Sequence, residues 1–136
     1  MPSRPQTTRT KRASSTRVDL LREESIRTLR EMEEAIVRTR NQLKAMETVL
    51  RRARRLLEAG RPAREVAQAA NAAQARAATS AIIREVQGAR HRAQRAQFKQ
   101  ASAEGSTMAE IARGWGVSRQ LVSRMVKEPS QRRKKV

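Results

Sequence analysis

The stretch Ser106 to Lys127, STMAEIARGWGVSRQLVSRMVK, decides the fold. Thr107 and Glu110 stand three apart, the spacing of a capping box, in which a hydroxyl and a carboxylate each take a free backbone donor at a helix start. A short helix is therefore expected from Met108 to Arg113, with Met108, Ile111 and Ala112 on its apolar side. Gly114-Trp115-Gly116-Val117 ends it, because glycine tolerates the sharp backbone turn that other residues resist. Ser118 then offers an N-cap for another helix running through Val126. Ala112 is small enough to let the two helices cross closely, and Ile111, Val117, Val122 and Met125 are the side chains expected to fix the crossing. Helices this short cannot stand alone. Arg90 to Ala103, followed by the turn residues Glu104 and Gly105, is expected to supply the third wall of a trihelical unit, with Trp115 packed in the core beneath the turn, towards Phe98.

Upstream, the pattern changes to a heptad. Leu29, Ile36, Leu43, Leu50 and Leu57 recur every seven residues, and Met32, Met46 and Ala53 follow three places later, with Thr39 the one polar member. Such a repeat marks a coiled-coil seam. Ala35, Val49 and Leu56, one place before the seam, widen the stripe towards a hairpin or bundle. Glu33, Arg40, Glu47 and Arg54 flank it with alternating sign, a pattern that selects a partner helix. Thr16 with Asp19 forms another capping box, so this helix is expected to start there. Ala59-Gly60-Arg61-Pro62 should stop it and restart a second helix at Ala63. From Ala63 to Ala103 alanine dominates, and Gln68, Ala72, Ala75, Thr79, Ile82, Val86, Ala89, Ala93 and Ala96 form a small-residue stripe suited to lying back along the first helix. Gly88 is the expected site of any bend. The opposite faces carry Arg64, Arg76, Arg84, Arg90, Arg92, Arg95 and Lys99, and His91 reads as a surface residue.

The chain has 136 residues, with 31 Lys or Arg against 13 Asp or Glu and a formal net charge of +18. A charge that large on so short a chain favours a polyanionic partner. Phe98 and Trp115 are its only aromatic residues, so a large globular interior is excluded. There is no Cys and one His, which removes disulfides, thiol nucleophiles and cysteine or histidine metal sites; no catalytic residue, metal or cofactor is expected, and the chain does not read as an enzyme. No apolar run is long enough to span a bilayer, and Met1 to Arg12 lack the apolar middle of a secretory signal, so a cytoplasmic, nucleoid-associated protein is expected. Residues 1–15 and 128–136 read as basic tails, the first disordered and the second carrying Arg132, Arg133, Lys134 and Lys135.

The spacing of Ile111-Ala112, Trp115-Gly116-Val117-Ser118-Arg119, Val122 and Met125 resembles bacterial helix-turn-helix DNA-binding domains of the homeodomain-like, resolvase-type group. The resemblance covers about the last third of the chain, and Trp115 stands where such motifs more commonly hold Leu. It implies double-stranded DNA as partner, with the second helix of the motif in the major groove. No part of residues 1–88 resembles a catalytic recombinase, so strand exchange does not carry over. Removing the buried set from that helix leaves Ser118, Arg119, Gln120, Ser123, Arg124 and Lys127 exposed. Arg119 and Gln120 are the expected base readers, Ser123 touches base or phosphate, and Arg124 and Lys127 lie nearer the backbone. Thr107 and the amides of its helix start are a candidate phosphate site.

The expected architecture is all-α: a helical hairpin over 16–88 that self-associates, by default as a homodimer through the 29–57 heptad helix, then a helix-turn-helix unit over 89–127. Its expected function is a small dimeric transcriptional regulator, repressor-like. The alternatives are an architectural, nucleoid-type DNA-binding protein, or a DNA-tethered assembly adaptor such as a phage packaging or plasmid partition component.

Overall fold

In a computed structural model, which describes residues 7–129, the chain is all-helical and no strand occurs among the described residues. Its elements are α1 (Thr7–Glu58), α2 (Ala63–Ala69), α3 (Ala72–Ala103), α4 (Met108–Trp115) and α5 (Arg119–Lys127). They build two compact units. The hairpin unit is Leu29–His91, and the terminal unit joins the described residues up to Thr28 with the described residues from Arg92 onward. The units of this structure divide elsewhere than the expected 88 and 89, with the first part of α1 grouped with the C-terminal helices. Ser25 and Thr28 of α1 and Ala93 and Ala96 of α3, all small, are buried in this unit, and Arg22 reaches Glu104 at 4.0 Å.

Helix α1 begins at Thr7, well before the expected start at Thr16. The Thr16 and Asp19 box is not used as a cap, since residues 7–15 contain neither Gly nor Pro and the helix continues through them. The first six residues, and 130–136 with the cluster Arg132 to Lys135, lie outside the described residues. The helix stops where expected. Gly60 takes φ +81°, Arg61 N–H donates to Leu56 O at 3.1 Å and Gly60 N–H to Leu57 O at 3.0 Å. These paired bonds are a Schellman ending, which uses carbonyls the helix would otherwise leave open. Pro62 then precedes α2.

The expected single helix from Ala63 to Ala103 is interrupted at Asn71, which adopts φ +49°, while Gly88 lies inside unbroken helix. Asparagine visits the left-handed region more readily than other residues with a Cβ, whereas one glycine costs a helix only about 1 kcal/mol. The break moves Gln68 and Ala72 to the surface, but Ala75, Thr79, Ile82, Val86 and Ala89 are buried or partly so, as the stripe requires.

Within the hairpin unit, Arg38 Nε and Nη2 both reach Glu85 Oε1, and residues 42–49 of α1 share a cavity of about 320 Å³ with residues 70–79. The helices are thus antiparallel. The inward row of α1 is Met32, Ala35, Thr39, Gln42, Met46, Val49, Ala53 and Leu56, all partly or fully buried. Thr39 tolerates this row by donating its hydroxyl to Ala35 O at 2.7 Å, as Thr79 does to Ala75 O at 2.8 Å on α3. The heptad residues Leu29, Ile36, Leu43, Leu50 and Leu57 remain exposed, from 38% to 60%. Half of the expected seam, Met32, Thr39, Met46 and Ala53, turns into the hairpin together with the row of Ala35, Gln42, Val49 and Leu56, while the half made of Leu29, Ile36, Leu43, Leu50 and Leu57 stays outside.

The terminal unit has a different core. Phe98 from α3, Ile111 and Ala112 from α4, and Val122 and Met125 from α5 are all at most 5% exposed and pack as one cluster, with Met108, Val117, Leu121 and Val126 around it. This is the expected three-helix core.

Candidate nucleic-acid interface

Helix α4 starts with the expected capping box. Thr107 Oγ1 accepts from Glu110 N–H at 3.2 Å, and the Glu110 carboxylate takes Thr107 N–H at 3.4 Å and the Thr107 hydroxyl at 3.0 Å. A carboxylate thus already occupies this helix start. A phosphate at the expected Thr107 site would find Thr107's own amide and hydroxyl already bonded to Glu110 and would meet that carboxylate's charge. At the other end Gly114 is ordinary helix, and the turn falls on Gly116 alone, with φ +65°. Val117 N–H closes the turn by donating to Ala112 O at 3.0 Å.

Ser118 caps α5, its hydroxyl oxygen accepting from Leu121 N–H at 3.1 Å. The hydroxyl proton remains available to an outside acceptor. Val122 and Met125 point into the core, which turns the rest of the helix outward. Arg119, Gln120, Arg124 and Lys127 are exposed and Ser123 is partly buried. Positions 120, 124 and 127 form one row at helical spacing, and 119, 123 and 127 its neighbour, so all five lie on one broad face. This face carries Arg119, Arg124 and Lys127 and no acidic residue.

Two features were not foreseen. Arg95, expected on the exposed basic run, is 6% exposed; its guanidinium lies 3.6 Å from the Glu128 carboxylate and reaches Pro129 O at 3.5 Å. Lys99 donates to Glu128 O at 2.6 Å. Both cations sit where the open carbonyls end α5 and concentrate negative charge, so they fasten the C-terminus of the candidate reading helix to α3. The signal was present in the four-residue spacing of Arg95 and Lys99, the same faces that bring Phe98 inward. The other feature is Trp115. Its ring meets Phe98 edge to face, centroids 5.1 Å apart and planes at 88°, as the expected contact requires, yet it is 43% exposed. Its expected burial is corrected: the core is filled by Phe98 and Met125, and the indole covers its edge beside the turn that leads into α5.

Among the described residues no group of three or more His, Asp or Glu side chains is placed to hold a metal ion, and no helix is long and apolar enough to cross a membrane. No family model, curated protein or solved structure matches this chain. The surface of α5 therefore stands on its own geometry.

Proposed function

We propose that the protein is a small DNA-binding regulator that sets α5 in the major groove and works as a dimer joined through the 29–57 heptad helix. The observation carrying this reading is the contrast between the two sides of α5. One side is anchored through Val122, Met125 and the Arg95 and Lys99 contacts at its end, while the other offers Arg119, Gln120, Arg124 and Lys127 with Ser118 at its start. Arg pairs with guanine and Gln with adenine through two hydrogen bonds each, and a helix held rigidly from behind keeps such donors in register. Arg124 and Lys127, nearer the C-terminal end, suit phosphates.

A second reading within DNA binding has its own support: Arg64, Arg76, Arg84 and Arg90 are exposed along α2 and α3, and the net charge of +18 attracts any duplex. Selection of bound fragments from random DNA, followed by titration of variants against the selected and scrambled duplexes at several salt concentrations, separates the two. Arg119→Ala and Gln120→Ala should each lose roughly 1 to 3 kcal/mol on the selected site and much less on scrambled DNA. Equal losses on both duplexes favour the architectural protein over the regulator.

A further inference from the structure

We infer that the exposed heptad face of α1 pairs with the same face of a second copy in antiparallel orientation, about a two-fold axis at Leu43. The inference rests on the proposal that 29–57 is the dimer face, and it adds the orientation and register. The first observation is steric. Leu29, Ile36, Leu43, Leu50 and Leu57 lie 38%, 42%, 51%, 60% and 53% exposed along α1, while the neighbouring row that includes Ala35 and Val49 is turned into the hairpin. Five bulky aliphatic side chains at seven-residue intervals form a regularly spaced apolar row along one side of α1, a regularity that scattered surface residues do not show.

The second observation is electrostatic, and it chooses the occupant. Four places after each of the first four strip residues comes a charge: Glu33, Arg40, Glu47 and Arg54, all exposed. A two-fold axis at Leu43 sets Leu29 against the second copy's Leu57, and Ile36 against its Leu50. It then sets Glu33 opposite Arg54 and Arg40 opposite Glu47 along the same edge. All four charges meet the opposite sign, and the axis repeats every pair. Parallel pairing behaves otherwise. There each charge faces the residue five places earlier on the other copy, which for Arg40, Glu47 and Arg54 is Ala35, Gln42 or Val49. These are uncharged and already committed to the hairpin interior. The intrahelical pairs Glu47 with Arg51, at 3.5 Å, and Arg54 with Glu58, at 3.0 Å, are exposed and weak enough to be exchanged.

Absence of cysteine from the chain makes the test direct. The full chain carrying Leu43→Cys, oxidised or treated with a short thiol-to-thiol linker, should give a covalent dimer. Leu29→Cys and Leu57→Cys should each fail to cross-link alone but do so when mixed. Efficient self-linking of Leu29→Cys overturns the antiparallel register while leaving the dimer intact; a monomeric unmodified chain by sedimentation at tens of micromolar overturns the dimer itself. A charge swap gives an independent check. Arg40→Glu alone and Glu47→Arg alone should each weaken association at least several-fold, and the double variant, which keeps the net charge, should recover it. Failure of the double variant to recover, with helicity by circular dichroism unchanged, counts against the register.

Discussion

The hairpin unit and the terminal unit use their apolar residues in opposite ways. Among the described residues of the hairpin unit only Ala35, Val66 and Ala89 are fully buried, while Leu29, Ile36, Val37, Leu43, Leu50, Leu57 and Ile83 are exposed. In the terminal unit Phe98, Ile111, Val122 and Met125 are inside. Burying apolar area contributes about 25 cal/mol per Å², so bulky residues left outside do little for a lone chain. The terminal unit closes on itself with a few large side chains held by three helices. The hairpin unit closes with a row that mixes small side chains with the half-buried Met32, Met46 and Leu56, and leaves Leu29, Ile36, Leu43, Leu50 and Leu57 facing outward.

The contrast breaks most sharply at Phe98. Phe98→Ala removes the largest fully buried side chain and should destabilise the terminal unit by about 3 to 5 kcal/mol. Trp115, the only Trp, loses its ring partner, so its emission should move to that of indole in water while most helicity survives in the hairpin. Complete loss of helicity in that variant would show that the units do not unfold separately. A smaller effect is expected from adding apolar bulk on the other side of the comparison. Ala35 is 1% exposed, and Ala35→Leu should cost about 1 to 3 kcal/mol in thermal or denaturant unfolding, because the close approach to α3 has no room for it. A gain in stability there would mean that the hairpin interior is loosely filled. The smallest effect belongs to Ser25, whose buried hydroxyl has no hydrogen-bond partner among the described residues. Ser25→Ala should be neutral or stabilise slightly, within about 0.5 to 1 kcal/mol, since a polar group that gains nothing from burial is removed. A clear loss of stability would assign that hydroxyl a bond.

Local chemistry was the legible part of this fold. The caps at Thr107 and Ser118, the stop at Gly60 and the turn at Gly116 each depend on one or two side chains acting on the adjacent backbone, and their residue types announce them. Phe98, Ile111, Val122 and Met125 were equally readable, because so few large apolar groups exist near the C-terminus. What failed depended on neighbours. Thr16 and Asp19 have the pattern of a cap, but a cap forms only if the preceding residues leave the helix, and residues 7–15 do not. Asn71 and Gly88 compete as breaks, and backbone preference alone does not rank them once α3 packs against α1. Which of two adjacent rows on α1 turns inward depends on the side chains of α3, so the Leu43 row and the Val49 row could not be told apart from spacing. On the candidate site the same division appears. The exposed set on α5 followed from removing its apolar face, whereas the clamp of Arg95 and Lys99 on Glu128 joins residues far apart in the chain.

Residues on both sides of the hairpin contribute to the terminal unit, so the hairpin is an insertion within it. During synthesis the α1 segment up to Thr28 leaves the ribosome before the hairpin, and the core residues Ile111, Val122 and Met125 leave after it. Domains fold as units, and this one has no complete set of walls until α5 has been translated. The hairpin, whose strands of contact all lie between Leu29 and His91, can form earlier and so bring the two halves of the unfinished unit together. A nascent chain stalled before Val122 would therefore display the exposed heptad row of α1 while the α5 surface did not yet exist.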